Sequence, residues 1–208
     1  MLKDEENSLY GRYPALSVCR KEIDEAAEIL IGAAKRDRTV YVCGNGGSAA
    51  DALHIVGELM KGFVRKRPVP EAERKAYRER FGEEMPALQG AVRAVALPAE
   101  ISALTAFMND ADPEAAYAQL AYGYAREGDV LLAVSTSGNS KNCVAAAKAA
   151  LLRGASVIAL TGENESALSK IAAVTIRVPA SETYQVQEYH LPVYHELCLR
   201  VEQAMFEN

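Results

Sequence analysis

Two pairs of polar residues have spacings that would bring their side chains together on helices. His54 and Glu58 are four residues apart, and Gln187 and His195 are eight apart. In a helix with 3.6 residues per turn, the first pair shares one face and the second is offset by only about 80°. Histidine and glutamate bind zinc-type ions and also carry protons in catalysis. An isolated helical histidine usually has an ordinary structural role. His190 lacks a partner of this kind, so we assign it no role in the chemistry.

Two loops rich in glycine and serine have the composition of an anion-binding site. Residues 44–48 read Gly-Asn-Gly-Gly-Ser, and residues 135–140 read Ser-Thr-Ser-Gly-Asn-Ser. Glycines let the backbone approach an anion, and hydroxyl groups and helix N-terminal N–H groups can bind it. Glycine turns are common, so the first loop alone does not discriminate, but four hydroxyl residues in six positions exceed the needs of a helix cap. Together the two loops predict a phosphate-binding cradle.

The same loops argue against two other phosphate-binding classes. The chain has no Gly-x-Gly-x-x-Gly pattern, and Asp51 lies too close to the first loop to bind a ribose, so a dinucleotide site does not fit. The lysine of a P-loop is also missing, which argues against nucleoside triphosphate hydrolysis.

Alternating strands and helices predict the scaffold that would position these residues. Strands are predicted at residues 39–43, 92–97, 129–134, 156–160 and 174–178. Helices are predicted at residues 16–34, 49–62, 99–108, 114–126, 166–172 and 182–206, with an alanine-rich helix from after residue 140 to about 153. Strands that are apolar on both faces and alternate with helices indicate an α/β fold. We therefore predict a three-layer, doubly wound, five-stranded parallel sheet with N-terminal and C-terminal helices, the last kinked at Pro192.

The domain organisation is predicted to be simple. Residues 1–208 are expected to form one domain that begins with a helical region at residues 1–38. Residues 64–90 interrupt the alternation with a dense run of charges of both signs. Because the signs are mixed, we interpret this run as a solvated helical insertion rather than a basic surface for nucleic acid.

Composition narrows the possible partners and the compartment. Half of the 208 residues are hydrophobic, a quarter are charged and the net charge is −5, values that argue against disorder and against nucleic acid or anionic lipid as partners. The longest apolar runs fall far short of the ~20 residues that span a bilayer, and the first residues are acidic, so we expect a cytoplasmic protein without a membrane partner. Its four cysteines are widely scattered and are expected to be buried free thiols.

Several motifs in this order resemble the bacterial phosphoheptose isomerase family, which belongs to the sugar isomerase (SIS) domain superfamily. The resemblance covers nearly the whole chain except the charged insertion. The segments that carry it are residues 44–48, His54 with Glu58, Asn109 with Asp110, residues 127–132, residues 135–140, and residues 187–188 followed by His195.

The resemblance implies roles for these residues. It implies that Glu58 and His195 are the catalytic base and acid, and that one zinc ion per site binds His54, Glu58, Gln187 and His195. It also implies a homotetramer whose active sites are shared between subunits. The residues implied to contact a sugar phosphate are Asn45, Gly46, Gly47, Ser48, Glu58, Asn109, Asp110, Ser135, Thr136, Ser137, Ser140 and Gln187.

The implied reaction is a ketose–aldose isomerisation, from sedoheptulose 7-phosphate to D-glycero-D-manno-heptose 7-phosphate. It moves a proton between adjacent carbons through an enediol, for which a carboxylate and an imidazole suffice. Two alternatives remain: isomerisation of another sugar phosphate, and a non-catalytic SIS regulator that resembles the DnaA initiator-associating protein. The regulator hypothesis predicts loss of the catalytic carboxylate, whereas Glu58 and His195 are both present.

Three features depart from the family pattern. The insertion at residues 64–90 is longer than in familiar members, and Tyr184 stands where members often have an aspartate before the glutamine of the last helix. An arginine expected soon after the helix that carries Glu58 has no clear match, and Arg65 or Arg67 is the candidate to replace it.

Overall fold

The computed structural model describes residues 5–206, and its centre is a five-stranded parallel sheet. The strands lie in the order β2-β1-β3-β4-β5, and every neighbouring pair is parallel. Their bounds are Val40–Cys43 (β1), Ala94–Ala96 (β2), Val130–Val134 (β3), Ser156–Thr161 (β4) and Val174–Arg177 (β5). The order of the strands reverses between β1 and β3, and this switch point is where open α/β sheets bind ligands.

Helices cover both faces of this sheet. Their bounds are Leu9–Arg12 (α1), Arg20–Lys35 (α2), Gly47–Met60 (α3), Glu71–Phe81 (α4), Ile101–Asp110 (α5), Ala116–Tyr124 (α6), Lys141–Leu152 (α7) and Thr183–Met205 (α8). Successive side chains of a strand point to opposite faces, so Val40 and Val42 pack with α2, α3 and α8, while Tyr41 and Cys43 pack with α6 and α7. The predicted three-layer α/β fold is confirmed.

Two local predictions differ from the structure. The helix predicted at residues 16–34 begins with a 3₁₀ segment, Pro14–Cys19, and regular α-helix, α2, begins only at Arg20. The helix predicted at residues 166–172 is wrong, because this segment forms turns. There the Ser166 N–H donates to Ser169 Oγ and the Ser169 N–H to Ser166 Oγ, bonds that compete with helix formation. Helix α8 continues through Pro192, without a break in its assignment.

The charged insertion is only partly as predicted. Its helix α4 buries no residue, in agreement with a solvated excursion. Arg67, however, is 1% exposed, and its Nε donates to Glu202 Oε1 of α8 at 2.8 Å. The prediction that Arg67 could replace an active-site arginine is therefore wrong, since its guanidinium is committed inside the protein.

Two further expectations concern the core and the membrane. All four cysteines are free and buried, as predicted. No helix within residues 5–206 combines the length and the apolar character that crossing a membrane requires.

Candidate active site

The glycine loop, residues 44–48, joins β1 to α3 at the switch point. Gly46 has a φ of 55°, a conformation that residues with a Cβ rarely adopt, and α3 begins at the next residue. The Gly44 carbonyl accepts a hydrogen bond from Tyr117 Oη at 2.7 Å, which fixes the loop from the α6 side. Asn45, Gly46 and Gly47 are exposed, whereas Ser48 is buried. The loop therefore presents backbone and amide groups to solvent.

The serine loop, residues 135–140, follows β3, the neighbour of β1. Ser135 and Ser140 are joined through their hydroxyl oxygens at 3.0 Å, and the Asn139 N–H donates to Ser137 Oγ. Gly138 has a φ of 64° and contacts Ser166, so its turn requires glycine. Ser137 is exposed and Thr136 half-buried, so hydroxyl groups remain on the surface beside the start of α7.

A pair of asparagines ties the two loops together. Asn45 Nδ2 donates to Asn142 Oδ1 at 2.8 Å, and Asn142 Nδ2 donates back to Asn45 Oδ1 at 2.8 Å. This reciprocal pair joins the glycine loop to the first turn of α7. Asn142 is not among the residues predicted from the motifs, although its place two residues after the serine loop was a signal that could have identified it.

His54, Glu58 and His195 come together where α3 and α8 meet. His54 Nε2 lies 3.3 Å from Glu58 Oε1 and 3.4 Å from His195 Nε2. Lys61 donates to the other Glu58 oxygen at 2.8 Å. The side chain of His54 is 42% exposed and that of Glu58 is 13% exposed, so the group is open to a small molecule. Burial and, to a smaller extent, His54 lower the pKa of His195.

Comparisons with known proteins identify the family of this chain. Models of the SIS domain match residues 16–76 and 93–194. The phosphoheptose isomerase of Alteromonas mediterranea is 33% identical over 96% of this chain and 91% of its own length. That of Rhodospirillum rubrum is 36% identical over 91% of this chain and 89% of its own. The chain belongs to the phosphoheptose isomerase family.

Solved structures of phosphoheptose isomerases share the fold of this family member. The enzyme from Neisseria gonorrhoeae is 32% identical, with a TM-score of 0.75 over 92% of this chain and 91% of that one. The enzyme from Francisella tularensis is 26% identical, with a TM-score of 0.74 over 95% of this chain and 94% of that one.

Not every predicted site residue of this phosphoheptose isomerase family member joins the His54 group within one chain. Gln187 packs against the glycine loop, since a Cβ at Gly47 would lie 2.5 Å from Gln187 Nε2. Asn109 and Asp110 are exposed at the end of α5, where Asn109 Nδ2 donates to Asp110 Oδ1 at 2.8 Å. In residues 5–206, the recorded hydrogen bonds connect neither Asn109 nor Asp110 to the group formed by α3 and α8.

The spacing of donor atoms around His54 Nε2 matches that of zinc ligands. A tetrahedral zinc ion with bonds of about 2.0–2.1 Å separates its ligand atoms by about 3.3–3.4 Å. The distances from His54 Nε2 to Glu58 Oε1 and to His195 Nε2 are 3.3 Å and 3.4 Å. In the described part of the chain, however, no three His, Cys, Asp or Glu side chains form a group that could hold a metal ion. The donor types fit zinc, and completing the group requires side-chain movement.

Proposed function

We propose that this protein interconverts sedoheptulose 7-phosphate and D-glycero-D-manno-heptose 7-phosphate. Its family membership makes it an aldose–ketose isomerase that acts on a sugar phosphate. The observation that carries the proposed reaction is the convergence of Glu58 and His195 on His54. The choice of a seven-carbon sugar takes its support from the relatives, which are named phosphoheptose isomerases. This group places a carboxylate and an imidazole together, as proton transfer between adjacent carbons requires.

Glu58 and His195 would share the proton transfers of the reaction. In the proposed mechanism a Glu58 carboxylate oxygen abstracts the proton from the carbon next to the carbonyl and returns it to the neighbouring carbon. His195 supplies and removes protons at the two oxygens of the enediol. A neutral imidazole has one donor and one acceptor nitrogen, and burial favours this form of His195 because it lowers the pKa of the side chain.

The two loops would hold the phosphate group. The exposed backbone at Gly46 and Gly47, the N-terminus of α3 and the exposed Ser137 offer N–H and O–H donors without formal charge. Because the net charge of the chain is −5, attraction at long range does not favour an anion, and these local donors have to supply the binding energy. Holding the phosphate positions the reacting carbons near Glu58.

A zinc ion forms part of the proposal. His54, Glu58, His195 and Gln187 are the proposed ligands, and their side chains would have to move to complete the group. Such an ion stabilises negative charge that develops on the substrate oxygens. The support for this is the set of donor types and the two ligand separations described above.

We also propose a homotetramer with active sites shared between subunits. Helix α5 buries none of its residues, and its Ile101 and Met108 are 67% and 46% exposed. An apolar helix of this kind is typical of a surface covered by another subunit. Asn109 and Asp110 end this helix, so the same packing would place them at an interface between subunits.

Replacement of Glu58 tests the proposed reaction. We expect Glu58→Gln to lower the rate of isomerisation by about 10²–10⁴-fold, because the amide keeps the shape of the carboxylate but cannot accept the proton. The rate is measured on a panel of five- to seven-carbon ketose phosphates, together with exchange of the substrate proton with deuterated water. Glu73→Gln on the exposed helix α4 is the matched control and should behave as the unaltered protein.

The panel also decides the substrate. Fastest turnover of sedoheptulose 7-phosphate is the expected result, whereas faster turnover of a shorter ketose phosphate would assign a different sugar. If the unaltered protein neither isomerises nor exchanges protons on any of these compounds, the catalytic proposal fails.

A further inference from the structure

A tyrosine and an aspartate lie behind His54, on the side away from Glu58. The Tyr194 hydroxyl, on α8, is 3.2 Å from Asp51 Oδ1 on α3 and 3.0 Å from His54 Nδ1. Tyr194 is 1% exposed, and its ring packs edge-on against His54 at a centroid distance of 5.4 Å. The three side chains therefore form a short chain of polar contacts from Asp51 to His54.

The direction of these hydrogen bonds follows from counting protons. The Tyr194 hydroxyl has one proton to donate and two neighbours that could accept it. An ionised carboxylate is the stronger acceptor, and the other Asp51 oxygen, Oδ2, is buried without a hydrogen-bond partner in the described residues. Donation to Asp51 is therefore favoured, since it spares the carboxylate the cost of being buried with no donor at all.

The remaining lone pair of the tyrosine oxygen then determines the state of His54. An oxygen that has donated its proton to Asp51 faces His54 as an acceptor, and a hydrogen bond between the two side chains therefore requires the ring proton on His54 Nδ1. The other ring nitrogen, Nε2, then has a lone pair that can accept a hydrogen bond from His195 Nε2, 3.4 Å away. Glu58 Oε1, 3.3 Å from Nε2, is a competing acceptor for the ring proton, and Lys61 at 2.8 Å offsets part of its charge. A neutral histidine in water prefers the opposite arrangement, with the proton on Nε2.

We propose that Tyr194, held by Asp51, is a positioning residue that fixes His54 in the form protonated on Nδ1. Nε2 of His54 is thereby kept as an acceptor toward the centre of the site. The use of that acceptor as a zinc ligand rests on the proposed function, but the position of the proton does not. Histidines that bind metals generally donate their other N–H to such a partner, which orients the ring and raises the affinity.

The position of the proton can be measured directly in protein free of metal and substrate. Nitrogen-15 chemical shifts of the imidazole distinguish the two forms, and the spectrum is recorded at alkaline pH, above the range in which histidines ordinarily titrate. The chain has three histidines, so replacing each in turn by glutamine assigns the signals. We expect His54 of the unaltered protein to carry its proton on Nδ1.

Two variants test the cause. Tyr194→Phe removes the acceptor of the Nδ1 proton. Asp51→Asn replaces an obligatory acceptor by an amide that can donate to Tyr194, so that the tyrosine proton turns toward His54 Nδ1. Both should shift the proton of His54 to Nε2. The matched control is Tyr189→Phe on the same helix, whose hydroxyl makes no recorded hydrogen bond within residues 5–206, and it should leave the signal unchanged.

A second readout is zinc affinity, measured by competition with a chromogenic chelator. We expect Tyr194→Phe to weaken zinc binding by about 10–100-fold relative to the Tyr189→Phe control. A proton on Nε2 in the unaltered protein, or an unchanged Nδ1 signal in both variants, would overturn the proposal regardless of activity. If the shift occurs but the unaltered protein binds no zinc, the positioning role is supported and only the proposed cofactor fails.

Discussion

At the scale of single residues, the Asn45–Asn142 pair links the two loops that are proposed to hold the phosphate. Each amide uses one donor and one acceptor on the other, so Asn142 fixes which way the exposed Asn45 presents its remaining groups. We expect Asn142→Asp to raise KM about three- to tenfold with little change in kcat, because Asn45 loses a donor to its oxygen and a negative charge is added near the phosphate.

Steady-state kinetics over a range of salt concentrations check this expectation. The part of the effect that comes from charge should shrink as salt is added. Asn164→Asp introduces the same charge at an exposed position and is the control. Equal KM values for the two variants would contradict a role for Asn142 in holding Asn45.

Residue spacing predicts contacts within one helix but not contacts between side chains on different helices. The interval from His54 to Glu58 lies within one helix, so its geometry follows from the helix repeat. Tyr194 and His54 are 140 positions apart, and their contact depends on how α8 rotates against α3. That rotation is set by packing of both helices on the sheet, which no local pattern encodes. The sequence marks His195 as a candidate site residue because histidines bind metals and carry protons. Tyr194 beside it has the pattern of an ordinary core aromatic residue.

At the scale of elements, Arg67 and Glu202 attach the charged insertion to the end of α3. Arg67 donates to the carbonyl oxygens of Glu58 and Leu59 in the last turn of α3, and to the Glu202 carboxylate. Glu202 also accepts backbone N–H groups at residues 63–65. Burial opposes ionisation of Glu202, but these donors and Arg67 lower its pKa overall. The pair thus orders the backbone that carries Glu58.

Removal of the Arg67 side chain should destabilise the fold. We expect Arg67→Met to lower the free energy of unfolding by about 3–5 kcal/mol, because neither side chain of the ion pair exposes surface and Glu202 would remain charged without its partner. Denaturant titration at a fixed protein concentration measures this loss, and Lys66→Met, at an exposed neighbouring position, is the control.

A double variant separates the ion pair from the backbone contacts. Replacing both members by methionine relieves the unpaired charge, but it still removes three half-buried hydrogen bonds from backbone N–H groups to the Glu202 oxygens. We therefore expect Arg67→Met/Glu202→Met to stay well below the unaltered protein in stability. Full recovery would mean that Glu202 matters only as the partner of Arg67.

The insertion also shows where the sequence was informative about an element. Its mixed charges and helical pattern predicted the exposed helix α4. The same charge pattern concealed Arg67, since nothing local distinguishes it from its exposed neighbours. Its partner, Glu202, is 135 positions away on α8, so the burial of Arg67 depends on tertiary structure alone.

At the scale of the whole molecule, the alternation of strands and helices was enough to predict the sheet and its two covering layers. Parallel strands joined by helices have few allowed arrangements, and ligands bind where the strand order reverses. The glycine and serine loops follow β1 and β3, which flank that point. The place of these two loops in the fold was therefore predictable, whereas the side-chain contacts of the candidate site were not.

The stability of the whole fold should depend on pH through His190, a fully buried histidine on α8. Burial lowers the pKa of His190 from 6.5 to about 4, and the backbone of Thr161 offsets only part of this shift. Neither ring nitrogen makes a hydrogen bond of normal geometry within residues 5–206. The folded protein therefore resists binding a proton that the unfolded chain accepts below pH 6.5. As pH falls through the interval between these two pKa values, the unfolded state gains protons first and stability decreases.

The contribution of His190 to the pH dependence of stability can be separated from the contributions of the other two histidines. The free energy of unfolding should fall by up to about 1.4 kcal/mol per pH unit, and by about 3 kcal/mol in total near pH 4. His190→Gln keeps a polar side chain but removes the titrating group, so its free energy of unfolding should fall less between neutral and acidic pH. Denaturant titrations of both proteins at matched pH and concentration measure the difference, in which the contributions of His54 and His195 cancel. Parallel pH profiles would show that His190 binds its proton equally well in the folded and unfolded states, contrary to its burial among apolar helices.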